Sequence, residues 1–172
     1  PFAKHPFRVG HEVAVRAGYP EEVLATIPAA SVNAFAGVSC VPCFAEIPPG
    51  ARVLDLGCGA GLDSLLVAAR AGSVLAIDFS RTMLAVARTS AETMGLANVE
   101  FREGDAESIP AATGSIDIAL VNGIFNLNPA RAAIFEEMAR VTRRGGLLFA
   151  AELVLKRPLP PEVTPSESDW FA

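Results

Sequence analysis

The chain has 172 residues, 51% of them apolar and 19% charged, with a formal net charge of −5. That length suits one domain with a real core, no run is long and pure enough in apolar residues to span a bilayer, and the acidic balance argues against a nucleic-acid partner. Three cysteines cannot all pair, and without a basic-then-apolar leader a reduced, cytoplasmic setting is expected.

Residues 1–50 read as a helical preface. His11 to Ala17 is a predicted short helix ended by Gly18. Pro20 to Ile27 is another, with Pro20 at its first turn and Glu21 and Glu22 complementing the helix dipole. Ser31 to Phe35 reads as a helical turn. The stretch Ser39 to Gly50, closed by Pro48-Pro49-Gly50, reads as a linker. Alternating elements follow. Strands are predicted at Arg52–Leu56, Ser73–Ile77, Val99–Arg102, Ile116–Val121 and Leu147–Val154. Helices are predicted at Leu62–Arg70, Arg81–Met94 (capped by Ser80, with Met83, Leu84, Ala87 and Ala91 on one face) and Ala130–Arg143. In the last of these, Ile134, Phe135, Met138 and Val141 should face inward, and Gly145-Gly146 should terminate it. Apolar strands separated by helices predict a parallel α/β sheet covered on both faces, in the order 3-2-1-4-5. Its ligand should lie beyond the carboxyl ends of strands one and four.

That place is marked by Ala51 to Gly61, ARVLDLGCGAG. A strand runs into Gly57, Gly59 and Gly61, which permit a sharp turn and close approach by a ligand. Asp78 closes the second strand at the position from which an acid can accept from ribose hydroxyls. The spacing is G-x-G-x-G, with Leu62 where a dinucleotide site has its third glycine, and no phosphate-binding G-x-x-x-x-G-K-[ST] occurs. A nicotinamide or flavin site, or a ligand-free turn, is the alternative reading of the glycines.

Asp105 follows strand three and could serve as a ligand acceptor or as a solvated turn residue. Phe79 could stack on an aromatic ring or pack in the core. Asn122-Gly123 ends strand four, where a turn is favoured on steric grounds. Cys40-Val41-Pro42-Cys43 could bind a soft metal or trivalent arsenic, form a redox disulfide, or bury two small apolar side chains. No second paired motif completes a zinc site, so no metal is expected. His5 and His11 read as solvated, with no evident partner.

DLGCGAG together with IDFS resembles the cofactor site of class I S-adenosylmethionine-dependent methyltransferases. The resemblance implies a Rossmann-like fold and S-adenosyl-L-methionine as cofactor. It implies that Asp55 helps hold the methionine end, and that Gly57, Cys58 and Gly59 approach through their backbone. Asp78 would hold the ribose, Phe79 would lie against the adenine, and Asp105 and the backbone N–H of Ala106 would meet the adenine edge. Asn122 would meet the methionine part. Cys58 reads as a small residue that fits the turn.

From Gly18 to Val163 the chain further resembles the arsenite methyltransferase branch, through AGYPEEVLATIPAASVNAFAGV, ANVEFREGDAESIP, VNGIFNLNP, ARVTRRGG and AAELVLKRPLPPEV. In that branch trivalent arsenic is held by cysteine thiolates. One of them falls at Gly123 here, and another falls near Cys40. The thiolate set is therefore incomplete, with Cys40 and Cys43 as a candidate substitute pair. The resemblance implies methyl transfer to a small-molecule acceptor. A noncatalytic cofactor-binding module, or a thiol redox or metal-binding protein using Cys40 and Cys43, is the alternative. The expected divisions are a preface at 1–50, the cofactor-binding α/β domain at 51–157 and a tail at 158–172. The usual C-terminal strand pair is expected to be missing, with Trp170-Phe171 covering part of the exposed edge. Oligomeric state is left open.

Overall fold

A computed structural model describes residues 8–154 and 156–157. Five parallel strands form one sheet in the order β3-β2-β1-β4-β5. They are β1 (Arg52–Leu56), β2 (Ser73–Asp78), β3 (Val99–Glu103), β4 (Ile116–Asn122) and β5 (Thr142–Ala151). Helix α5 (Leu62–Ala68) joins β1 to β2, α6 (Arg81–Thr93) joins β2 to β3, and α7 (Arg131–Val141) joins β4 to β5. The preface folds as four short helices: α1 (His11–Arg16), α2 (Glu21–Leu24), α3 (Ala29–Asn33) and α4 (Val41–Phe44). The expected strand order and the coverage of both faces are thus observed.

Strand alternation builds the two layers. Val53, Val74, Ala76, Ile118 and Leu120 point to one face, where they are buried with Leu62 and Leu65 of α5, Leu84 and Ala87 of α6, and Tyr19, Val32 and Phe35 of the preface. Leu54, Leu56, Ile77, Ala119 and Val121 point to the other, against Ile134, Met138 and Val141 of α7. The preface is therefore part of the main core. A hydrogen bond of 2.8 Å between the buried hydroxyls of Ser31 and Ser90 ties α3 to α6.

Four local expectations are corrected. Helix α7 ends at Val141, and β5 begins directly at Thr142. Gly145-Gly146 therefore does not terminate a helix. It lies inside β5, next to a register shift opposite Ile116–Ile118, with Gly145 at a φ of +76°. Such a bulge absorbs residues that a regular ladder cannot pair. Phe135 does not face inward: it is half exposed and stacks on Phe125 at 4.6 Å. Within the stretch expected as a linker, Val41–Phe44 forms a turn of helix. His11 also has a neighbour, since its Nε2 lies 3.4 Å from a Glu21 carboxylate oxygen. His5, Trp170, Phe171 and the tail at 158–172 fall outside the described residues.

Candidate cofactor site at the carboxyl end of the sheet

The parallel sheet brings the ends of β1, β2 and β4 together, and the glycine turn runs across them. Gly57, Gly59 and Gly61 have φ values of +76°, +53° and +85°, in the left-handed region that β-carbons disfavour. A side chain at Gly57 would strike Ile124, and one at Gly61 would crowd Ala87 and Phe101. Gly59 faces open space, with no atom within 4 Å of where a β-carbon would stand. This is a cradle that a ligand's own atoms could fill. The backbone N–H groups of Gly57 and Cys58 both donate to the Ile77 carbonyl, at 2.8 and 3.0 Å, which fixes the turn to β2.

Asp78 is buried and braces the turn. Its Oδ2 accepts from the Gly59 N–H at 2.8 Å, and its Oδ1 accepts from the Ser80 N–H at 2.8 Å. Phe79 next to it is 77% exposed, so its ring is free of the core and open to a planar ligand. Asp105 is exposed in the turn after β3, and Ala106 is half-buried beside it. That turn is held in place by α7. Glu137 accepts from the Ile109 N–H at 2.7 Å, and Arg140 donates to the carbonyls of Ile109 and Ala111 at 2.8 Å each.

Asp55 is buried at the end of β1 and accepts from the Ser64 hydroxyl. Burial, together with the neighbouring Asp63 charge, pushes its carboxyl up to about 7. Burial likewise pushes the Cys58 thiol up, with the Asp55 and Asp78 charges adding to the shift. Its sulfur is therefore held as the neutral thiol, as befits a small space-filling residue.

Two residues absent from the sequence reading join this group. Asp63, in the first turn of α5, is buried, and burial pushes its carboxyl up to about 6. It accepts from the Tyr19 hydroxyl of the preface and, at 2.9 Å, from the Asn122 side-chain amide. The Asn122 side chain has no polar atom to spare. Its Oδ1 accepts from the N–H groups of Val38 and Ser39 at 2.7 and 3.2 Å, and its Nδ2 also donates to the Ser39 carbonyl at 2.7 Å. A contact between Asn122 and a cofactor is therefore left to its backbone carbonyl.

Cys40 and Cys43 lie outside this cluster, joined to each other by a disulfide. Cys40 is buried ahead of α4 and Cys43 is exposed. Among the described residues no group of three or more His, Cys, Asp or Glu side chains is arranged to hold a metal ion. Nor is any helix among them long and apolar enough to cross a membrane. A groove of about 690 Å³ lies at the opposite end of the sheet, near Arg52, Ser73, Val99 and Ile116, where the strands begin.

A five-stranded sheet in this order, a glycine cradle after β1 and a carboxylate at the end of β2 define a class I S-adenosylmethionine-dependent methyltransferase domain. The comparisons agree: a family model described as "Methyltransferase domain" matches residues 47–171, well over half of the chain, and the chain belongs to that family. Its cofactor is S-adenosyl-L-methionine. An arsenite methyltransferase of Halobacterium salinarum is 33% identical over 86% of this chain and 38% of its own length. An arsenite methyltransferase of Aquipseudomonas alcaligenes is 37% identical over 69% of this chain and 37% of its own length. The crystal structure of an arsenic(III) S-adenosylmethionine methyltransferase from Chlamydomonas reinhardtii superposes with a TM-score of 0.64 at 29% identity, over 86% of this chain and 51% of that one. The chain thus spans less than half the length of these two curated relatives.

Proposed function

We propose that this chain is the cofactor-binding part of a methyltransferase acting on a small-molecule acceptor, with trivalent arsenic as the first acceptor to try. The observation that carries the reading is the open cradle at Gly59, braced by the Asp78 carboxylate, at the switch point between β1 and β4. In this reading Asp78 accepts from the ribose hydroxyls, because each of its oxygens keeps a lone pair beyond the bond it already accepts. Asp55 lies under the methionine end, Gly57, Cys58 and Gly59 present backbone, Phe79 covers the adenine face, and Asp105 and Ala106 meet its edge.

When bound, S-adenosylmethionine supplies a methyl group activated by a positive sulfur. The chain's own residues contribute alignment of the acceptor with that methyl and exclusion of water. Asp55 and Asp78 would hold the cofactor so that it supplies that methyl to an acceptor lone pair. A general base is required only for an acceptor that arrives protonated.

The acceptor is the open part of the proposal. Two of the three relatives and neighbours reported are named as arsenite methyltransferases and the third as an arsenic(III) methyltransferase, which supports arsenic. Against it, the family thiolate position after β4 is Gly123, at a φ of +82°, where a β-carbon would stand 3.0 Å from Val38. Cys40 and Cys43 would have to be reduced before they could serve as a substitute pair. That disulfide favours a second reading, a thiol redox protein on the same fold. A Cys40→Ser, Cys43→Ser variant with undiminished activity would remove it.

The first test is calorimetry with S-adenosylhomocysteine, followed by an acceptor screen that begins with arsenite. Micromolar binding is the expected result. No binding would sink the cofactor assignment, and tight binding without turnover on any acceptor would leave a noncatalytic module.

A further inference from the structure

Resting on that reading, we propose that Asn122, seated by Asp63, is a positioning residue: it straps the preface segment Gly37–Ser39 across the end of β4, so that this segment forms the wall of the site beside the cofactor's methionine end.

Three independent observations place the strap. The first is the hydrogen bonding. Asn122 Oδ1 accepts from the Val38 and Ser39 N–H groups, and its Nδ2 donates to the Ser39 carbonyl and to Asp63. Its backbone belongs to β4, whereas its side chain makes all its bonds to segments far away in sequence. Buried polar atoms are ordinarily satisfied; what sets Asn122 apart is that its partners lie 84, 83 and 59 residues away, on two other segments. The second is close packing. A β-carbon on Gly37 would stand 2.7 Å from the Asn122 amide nitrogen and 2.7 Å from Phe35. One on Gly123 would stand 3.0 Å from Val38. Glycine on each side therefore leaves room for the Asn122, Phe35 and Val38 side chains between the two segments. The third is the seat. Asp63 is itself held by the Tyr19 hydroxyl, which is also 3.2 Å from the Ser39 carbonyl, so one buried network reaches the strap from two elements.

The location gives the strap its role. Asp63 belongs to the helix that leaves the glycine cradle, and its charge acts on Asp55. Gly57 and Ile124 are in close approach next to Gly123. A segment fixed to Asn122 thus borders the cradle on the β4 side, where the family resemblance puts the methionine part of the cofactor.

The test uses the whole chain, S-adenosylhomocysteine as the probe, and two variants. Asn122→Ala removes the strap's bonds from the sheet side, and Gly37→Ala crowds it from the preface side without touching the cradle. Hydrogen exchange at the Val38 and Ser39 amides is expected to quicken at least tenfold in both, with exchange at Leu54 and Ala119 unchanged. In the wild type S-adenosylhomocysteine should protect Val38 and Ser39 further, and both variants should lose that added protection and bind the probe at least tenfold more weakly. A strap serving stability alone would give faster exchange with unaltered binding, and this result would overturn the proposal. Wild-type protection unaffected by bound probe would overturn it as well. Failure of the wild type to bind the probe at all would refute the cofactor reading, and the inference with it. If Asn122→Ala does not fold, Gly37→Ala decides.

Discussion

Asp78 shows how much one side chain carries at this site. Both of its oxygens are engaged with backbone N–H groups, one in the cradle and one at the start of α6. Asp78→Ala should therefore remove the ribose acceptor and also loosen the turn. Asp78→Asn keeps one acceptor oxygen and should lose less. Calorimetry with S-adenosylhomocysteine is expected to show a loss of at least about tenfold for the alanine variant, or about 1.4 kcal/mol, and a smaller loss for asparagine. Equal binding by the alanine variant and the wild type would exclude the ribose role. Cys58 makes the opposite case. Its thiol is held neutral by burial and by two nearby acids, and it meets the ligand only through its backbone in the proposed reading. Cys58→Ala should leave binding within about twofold, which corresponds to about 0.4 kcal/mol. A thiol-alkylating reagent should leave native Cys58 unmodified at pH 8, as mass spectrometry would show, because the thiolate is the reactive form.

At the scale of elements, α6 was legible in advance because its signals are local. Ser80 precedes it, and the Ser80 hydroxyl accepts from the Met83 N–H at 3.4 Å. Leu84, Ala87 and Ala91 recur on its buried face, and Gly95 follows it. Ser80→Ala should cost about 1 kcal/mol, the usual worth of such a cap, seen as a lower urea midpoint with an unchanged slope. The strands β1, β2 and β4 were equally readable, since a strand buried on both faces writes itself as an apolar run. The start of β5 was not. Gly145-Gly146 has the form of a helix stop, but the structure spends it on a bulge, and only the pairing with β4 decides between them. Asp63 was missed for a related reason. In sequence it is an acid in a helix's first turn, which the dipole favours. What sets it apart is contact with Tyr19 and Asn122, 44 and 59 residues away, and no local pattern carries that. The glycine cradle and Asp78 were legible as a pair, whereas the preface read as short helices and a linker ahead of the sheet, and its place in the main core was not.

For the molecule as a whole, the buried acids make stability depend on pH in an uncommon direction. Asp55 and Asp63 are raised from an ordinary value of 3.8 to about 7 and about 6, mainly by burial. Between those values and 3.8 the folded chain binds more protons than the unfolded one, so stability falls as pH rises through that window. Their contribution is complete below 3.8 and lost above about 7. Asp117 acts in the reverse sense: hydrogen bonds from Arg143 and from the Arg52 backbone hold its carboxyl low. Its contribution is present above its ordinary value of 3.8 and disappears as pH falls through its folded value. The two trends set an optimum on the acidic side of neutrality. Thermal unfolding should accordingly show a higher midpoint at about pH 5.5 than at about pH 8. Asp55→Asn retains an oxygen to accept from Ser64 and removes the buried charge, so it should raise the midpoint at about pH 8 and flatten the slope between the two values. A cationic cofactor over these carboxylates would favour their charged forms, so S-adenosylmethionine should bind more tightly as pH rises from about 6 to about 8, with protons released on binding. Affinity that falls with pH over that range, measured by calorimetry in buffers of different ionisation enthalpy, would mean that the methionine end does not lie over Asp55. The same acids would then destabilise the fold at neutral pH with no ligand charge to offset them.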